Sequence, residues 1–236
     1  SEKISLPTLE GSGDYQNNQL NYKILGNIFE GNFKSSGAVK DLKHPILDNQ
    51  IEFTNLNLNK LNLLKPGTGI PTQGIASGNV KLKGPVPKDG NLDNLEIETS
   101  FNVANLSLPV PNGKKMFPLV IPKLNGKADL NKNKLTHNIN AEMLGGSLGV
   151  TGDIKMGGKI IADTTLKLKT IDLSSLDQLE KPVYGIVSAD IKLKGPLPEN
   201  GKVLTSGLRI DTAFDLENLS LPLDVKGKTV NAELGK

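Results

Sequence analysis

Few residues of this sequence could act in catalysis, and their spacing matches no known catalytic arrangement. The chain has 236 residues, no cysteine and two histidines, His44 and His137, which removes thiol chemistry, disulfides and Cys/His metal sites. The pairs Ser35-Ser36 and Ser174-Ser175 lack the Gly-x-Ser-x-Gly context of a nucleophile elbow and fit turns or helix caps. The acidic candidates, which lack metal-loop spacing, are Asp129, Asp163, Asp172 and Asp177. The sequence therefore predicts a protein that is not an enzyme and needs no cofactor.

The charge and the aromatic content argue against nucleic acid as a partner. Lysine and arginine number 28 against 25 acidic residues, a net charge of +3, and Arg209 is the only arginine. Nucleic-acid-binding proteins use arginine for bidentate contacts and aromatic side chains for stacking. Only 4% of the residues are aromatic and none is tryptophan. The sequence also has no apolar run of the roughly 18 residues that indicates a membrane-spanning helix.

The chain repeats itself. The segment Gly74–Pro87 (GIASGNVKLKGPVP) recurs as Gly185–Pro198 (GIVSADIKLKGPLP), 111 residues later, with nine of fourteen positions identical. An offset of 115 aligns the residues before this segment, and an offset of 113 aligns the two copies of NLSLP, at 105–109 and 218–222. The period is too long for the common short solenoid repeats. The sequence therefore predicts two units, residues 4–118 and 119–236, each containing several strands.

Period-two alternation predicts strands in both units. Large apolar residues occupy most second positions in 95–103, 135–143 and 208–216, with polar residues between them. Turn residues separate such runs, and both Asn131–Asn133 and Gly157-Gly158 predict short hairpins.

Two local features interrupt the alternation. It slips by one residue in the same place in each unit, which predicts bulges near Ala104 and Glu217. A sequence similar to a capping box predicts a short helix over 175–179, with a counterpart over 60–64. Bulges bend strands, so we expect a curved sheet with one short helix in each unit.

The order of the motifs resembles the repeat of the AsmA-like family of repeating β-groove, bridge-like lipid transfer proteins of diderm bacteria. In the second unit LGGSLGVTGDI is followed by LKLKTIDLSSLDQL and GIVSADIKLKG. The first unit has IFEGNFKSSGAV, FTNLNLNKLNLL and GIASGNVKLKG in the same order. The resemblance covers almost the whole chain. The sequence departs from the family in its small number of repeats and in lacking the N-terminal membrane helix.

The resemblance implies an all-β fold of two tandem repeats of strongly curved antiparallel sheet, which form an open apolar groove. It implies passive transfer of phospholipid between the inner and outer membranes, in the periplasm. It also implies an inner-membrane anchor formed by an N-terminal helix absent from this chain. The implied partners are lipid acyl chains, the two membranes through segments not present here, and further β-groove repeats or partner proteins at the sheet edges.

A lipid-carrying groove would be lined by the large apolar residues on the inward strand faces. The candidates are Val80, Leu82, Ile97, Phe101, Val103, Ile139, Met143, Leu148, Val150, Ile191, Leu193, Ile210 and Phe214. Each could equally be an ordinary core residue, and only a continuous stripe through both units would indicate transport. The apolar run Met116–Ile121 is expected to tie one unit to the next, or else to form a lip that contacts a membrane or a partner.

Two alternatives remain open at this level. A second sheet in a closed sandwich could cover the apolar face of each strand instead of acyl chains. The same fold could also serve as an accessory scaffold in secretion or outer-membrane assembly, without carrying lipid. Neither periodicity nor composition distinguishes a face covered by side chains from one covered by lipid.

Overall fold

Antiparallel strands make up almost all of the structure. The computed structural model describes residues 8–63, 73–87, 94–112, 115–157, 159–176, 183–197, 207–225 and 228–234. The strands are β1 (Leu9–Gln16), β2 (Gln19–Ile28), β3 (Gly31–Lys40), β4 (Ile46–Asn57), β5 (Gln73–Pro85), β6 (Glu96–Asn112), β7 (Lys115–Asn131), β8 (Lys134–Met143), β9 (Gly146–Lys155), β10 (Ile161–Asp172), β11 (Tyr184–Pro196), β12 (Arg209–Val225) and β13 (Lys228–Leu234). Two 3-10 helices, Leu58–Leu63 and Leu173–Leu176, follow β4 and β10.

All thirteen strands belong to one open sheet in which each strand lies beside its neighbours in sequence, from β1 to β13. Every pairing is antiparallel. The prediction of an all-β antiparallel fold with very little helix is therefore confirmed. Among the described residues no second sheet is present, so the strands are not divided between the two layers of a sandwich.

Four hairpins turn through two residues that both have positive φ, the conformation of a type I′ turn. The turn residues are Asn17-Asn18, Phe29-Glu30, Lys132-Asn133 and Leu144-Gly145. The hairpin expected at Asn131–Asn133 is confirmed. The two-residue hairpin expected at Gly157-Gly158 is wrong, because β9 ends at Lys155 and β10 begins at Ile161; Gly158 itself lies outside the described residues.

Both predicted bulges are present, one residue after the expected positions. The register between β5 and β6 shifts at Asn105 of β6, and the register between β11 and β12 shifts at Asn218 of β12. Both asparagines have φ +51. Further shifts occur at Asn55 in β4 and Thr170 in β10, which also have positive φ. After each bulge the alternation resumes with the opposite parity, which returns apolar residues to their original side.

Both helices are 3-10 helices, and each begins two residues earlier than predicted. Asp172, not Ser175, caps the second one: its Oδ1 accepts hydrogen bonds from the backbone N–H of Ser174 at 2.9 Å and from the Ser174 hydroxyl at 2.6 Å. Asn57 caps the first helix in the same way, accepting the N–H of Asn59 at 3.1 Å. Residues 177–179 of the predicted helix lie outside the described residues.

Strand bounds recur at the offsets found in the sequence. Strands β2, β3 and β4 have the lengths of β8, β9 and β10 and begin 115 residues before them. The bounds of β5 recur in β11 after 111 residues, and those of β6 in β12 after 113. The expected boundary between residues 118 and 119 falls inside β7, which continues the sheet without a break.

The best-packed part of the molecule lies where β6, β7 and β8 meet the first 3-10 helix. Leu106, Ile121 and Ala141 are buried there, and Leu58 of the helix is among the residues packed against them. The apolar run Met116–Ile121 is therefore part of β7, where Ile121 points into this cluster while Val120 remains 49% exposed.

Candidate functional site: an uncharged face of the sheet

The register aligns side chains of twelve adjacent strands into one continuous row, because paired residues of an antiparallel sheet point to the same side. This central row consists of Leu9, Gly26, Phe33, Phe53, Gly78, Phe101, Gly126, Ile139, Val150, Leu166, Ile191 and Thr212. It crosses from β1 to β12 without a charged side chain.

Three further rows lie beside the central row on the same side of the sheet. One consists of Leu56, Ala76, Val103, Leu124, Ala141, Leu148, Leu168, Ala189 and Phe214. On the other flank the next row consists of Gly11, Ile24, Ser35, Ile51, Val80, Thr99, Ala128, His137, Gly152, Thr164, Leu193 and Ile210. The last consists of Gly13, Tyr22, Gly37, Asn49, Leu82, Ile97, Leu130, Leu135, Ile154, Ala162 and Gly195.

We call these four rows together the apolar face. None of their residues is charged, in a chain that is 22% charged. Twelve of the thirteen candidate lining residues lie on this face. Met143 is outside the four rows, but it lies on the same side of the sheet, two positions after Ala141 on β8. The candidate list missed equivalent residues such as Phe33, Phe53, Leu124 and Leu166. The same period-two pattern would have found them.

The apolar face is only partly buried. Ile210 is 56% exposed and Phe214 62%, and no large side chain of the described residues is more than 98% buried. The chain exposes 15802 Å², whereas a compact monomer of 25.2 kDa exposes about 10,300 Å². Among the described residues no second layer covers the apolar face, and this contributes to the large exposed area.

Phenylalanine rings lie across neighbouring glycines in the central row. A Cβ atom at Gly126 would lie 2.7 Å from Cζ of Phe101, and one at Gly78 would lie 2.8 Å from Cζ of Phe53. These glycines therefore leave room for the ring of the adjacent strand. Because the rings lie across the glycines, this part of the face is a continuous apolar surface.

The opposite face of the sheet, here called the polar face, carries ion pairs between adjacent strands. Lys34 lies 3.2 Å from Glu52, and Lys81 lies 3.2 Å from Glu98. Such exposed pairs contribute little to stability individually. They keep the polar face compatible with water.

The pKa of one carboxyl on the polar face is lowered. Hydrogen bonds from Lys134, at 2.9 Å, and from the Thr136 hydroxyl, at 2.8 Å, hold the pKa of Asp153 below its usual value. Depressions of about 620 and 670 Å³ also open on this face; the first is lined by Asn79, Asn102 and other amides. These groups have the character of a hydrated surface.

Polar side chains interrupt the apolar face at several positions, and three of them have buried groups. Ser35 is buried, with its hydroxyl 3.4 Å from the Tyr22 hydroxyl. His137 is also buried, and its Nδ1 has no hydrogen-bond partner in the described part of the chain; the same holds for Oδ1 of Asn49. His137 therefore lies between Ala128 and Gly152 as part of the packed face, as its phase with Leu135 and Ile139 suggests.

The structure does not bring the other reactive residues together. His44 is exposed and lies 3.4 Å from Asp41, far in the fold from His137. Ser174 is engaged in the cap of a 3-10 helix. Within the described ranges, no three His, Asp or Glu side chains lie close enough to hold a metal ion.

No family model, curated protein or solved structure matches this chain. None of the helices in the described ranges is both long enough and apolar enough to span a membrane.

Proposed function

We propose that this chain is a lipid-carrying module whose apolar face holds acyl chains while the headgroups remain in water. The observation that carries the proposal is the continuous uncharged face, which crosses twelve adjacent strands and has no second layer of described residues over it. Apolar side chains exposed over such an area are unfavourable in water and need a cover. Acyl chains are a cover that can move along it.

The dimensions suit several acyl chains. Eleven strand spacings of about 4.8 Å give a length of about 53 Å, and four rows about 6.8 Å apart give a width of about 20 Å. One leaflet of a bilayer core is about 15 Å thick, so an extended acyl chain covers a fraction of this length. Burial of sixteen carbons at about 0.8 kcal/mol each would contribute about 13 kcal/mol before losses.

An acyl chain could move along the apolar face without passing into water. A chain that slides from one strand to the next exchanges one apolar contact for a similar one, so its free energy changes little at each step. No cofactor enters this mechanism. We propose, as the resemblance to AsmA-like proteins implies, that the lipid is phospholipid passing between the two membranes of a diderm bacterium, in the periplasm.

We further propose that the chain is two tandem units and that its sheet curves into a groove with the apolar face inside. The recurrence of strand bounds at the sequence offsets supports two units. The paired helix caps at Asn57 and Asp172 and the paired bulges at Asn105 and Asn218 support it as well. Bulges increase the local twist and bend a strand, so four of them in one sheet favour curvature.

Site-specific photo-crosslinking tests lipid carriage. A benzophenone side chain at Leu193, on the apolar face, should crosslink to lipid in cells, whereas the same group at Lys194, the next residue and on the polar face, should not. Mass spectrometry of an organic extract of the purified protein would identify the lipid. Equal crosslinking at the two positions, or an extract free of lipid together with no crosslink at Leu193, would contradict lipid carriage and favour the scaffold function.

A further inference from the structure

Part of β12 has a neighbouring strand on one side only. Residues 209–216 pair with β11, whereas β13 pairs with β12 only from Leu219 onward, so no described strand lies on their other side. At this edge, side chains of the apolar face are exposed to solvent: Ile210 is 56% exposed and Phe214 is 62% exposed. At the far end of the sheet β1 is also an edge, and its Leu9 is 58% exposed. Unprotected edges of this kind are sites for pairing with another strand.

The chain contains an internal template for such a pairing. Residues 97–104 of β6 pair with residues 123–130 of β7 in one register. The offset of 113 relates 97–104 to 210–217 of β12, and the offset of 115 relates 8–15, most of β1, to 123–130. The two exposed edges therefore correspond to two strands that are already partners in the middle of the sheet.

We infer that β12 of one copy of this chain pairs with β1 of a second copy in the register of β6 with β7. Phe101 faces Gly126 in the template, so Phe214 would face Gly11 of the other copy. Ile210 would face Tyr15, and Leu216 would face Leu9. Repetition of this contact extends the apolar face from copy to copy without interruption.

The environment of Gly11 fits this partner. In the template the Phe101 ring occupies the space that a Cβ atom at Gly126 would need, 2.7 Å from Cζ. A Cβ atom at Gly11 would meet only ordinary contacts, 3.7 Å from the Lys23 carbonyl oxygen and 3.8 Å from Cγ1 of Ile24. The space above Gly11 is therefore open to the Phe214 ring of another copy.

Electrostatic repulsion opposes the contact and makes its strength depend on salt concentration. The register places Asp215 opposite Glu10, where the template has the neutral pair Asn102 and Asn125. Like charges directly opposite each other in a sheet are destabilising, and salt screens them. A contact of eight residues on each side is also smaller than a standard stable interface. Association should therefore be weak, dependent on concentration and stronger at higher salt.

Sedimentation velocity of charge variants tests the register. At 50 mM NaCl, Asp215→Lys alone and Glu10→Lys alone should each tighten self-association by about fivefold, because each turns a repulsive pair into an attractive one. The double variant should fall back to the level of the unchanged protein, because two lysines then face each other. If self-association instead falls steadily from the parent to the single variants and to the double variant, only net charge matters and the inference is wrong.

A steric variant tests the contact between Phe214 and Gly11. Gly11→Val should abolish self-association, since its side chain takes the place of the incoming ring, while the unfolding transition of the monomer stays close to that of the parent. Ser12→Val, one residue away and on the polar face, is the matched control and should still associate. Equal association of the two variants would overturn the inference.

Disulfide trapping gives a readout that does not depend on affinity, because the chain has no cysteine of its own. A mixture of Thr212→Cys and Gly13→Cys proteins, whose cysteines face each other in the inferred register, should form a crosslinked heterodimer. Thr212→Cys mixed with Leu9→Cys, displaced by four residues, should not. If both mixtures crosslink alike, or neither does at concentrations where the protein associates, a different surface joins the copies. A strictly monomeric protein at all salt concentrations would refute the inference without affecting the lipid proposal, which concerns one chain.

Discussion

Replacing Val150 by glutamate places one carboxylate in the middle of the apolar face, between Ile139 on β8 and Leu166 on β10. Val150 is only half-buried. Losing its contacts should therefore cost about 1 kcal/mol of unfolding free energy, less than the roughly 1.5–3 kcal/mol that a fully buried apolar side chain contributes. On an open face the carboxylate can reach water. The total loss of unfolding free energy should then be about 1–2 kcal/mol, and the protein should still unfold cooperatively.

The variant should lose most of its bound lipid although its free energy of unfolding falls only slightly. An ionised carboxylate cannot be covered by acyl chains without losing its hydration, which costs several kcal/mol. We therefore expect the variant to retain little co-purifying lipid, measured by mass spectrometry of an organic extract, while urea denaturation gives the small stability change above. Thr151→Glu, the next residue and exposed on the polar face, should keep both lipid and stability.

Two results would refute this reasoning. A destabilisation of more than about 4 kcal/mol would mean that Val150 lies in a closed core, where an unpaired charge is that costly. A stable Val150→Glu protein with unchanged lipid content would mean that the lipid is held elsewhere.

Three further predictions concern stability and can be measured by urea denaturation. His137→Leu should leave the free energy of unfolding unchanged or raise it by about 1 kcal/mol, since it removes the buried Nδ1 atom that has no partner in the described part; a loss would reveal a hydrogen bond to that nitrogen. Thr170→Asn should stabilise by about 0.5–1 kcal/mol, because φ +50 is strained for a β-branched residue, and Asn55 occupies the matching bulge; no gain would show that the threonine is unstrained. The lowered pKa of Asp153 contributes stability that is present above the ordinary aspartate pKa and is lost as the pH falls through the lowered folded value. Asp153→Asn should therefore flatten the acid side of the stability profile, and an unchanged profile would contradict this assignment.

Local pattern determined much of the fold. Because successive side chains in a strand point to opposite sides, alternation along the sequence already decides which residues share a face. Twelve of the thirteen candidate lining residues accordingly lie on the apolar face, and Met143 lies on the same side of the sheet. The slips in alternation located the bulges at Asn105 and Asn218 to within one residue, since a bulge is itself a local change of parity.

Other local features were not predicted from the sequence. The turn at Phe29-Glu30 has positive φ at both residues without the asparagine or glycine that normally indicates a type I′ turn. At this turn the neighbouring strands fix the chain direction, and the two residues adopt the conformation that remains. Asn57 and Asp172 are residue types favoured at helix N-caps, but they lie before the positions from which a capping box was inferred.

Burial was decided by the tertiary structure. Phe101 and Phe214 occupy matching positions of the repeated sequence, and alternation assigns both to the same face. Phe101 is half-buried because β7 lies beside it and Gly126 accommodates its ring. Phe214 is 62% exposed because no described strand lies next to that part of β12. The side to which a residue points depends on its own strand, whereas its exposure depends on which strand lies beside it.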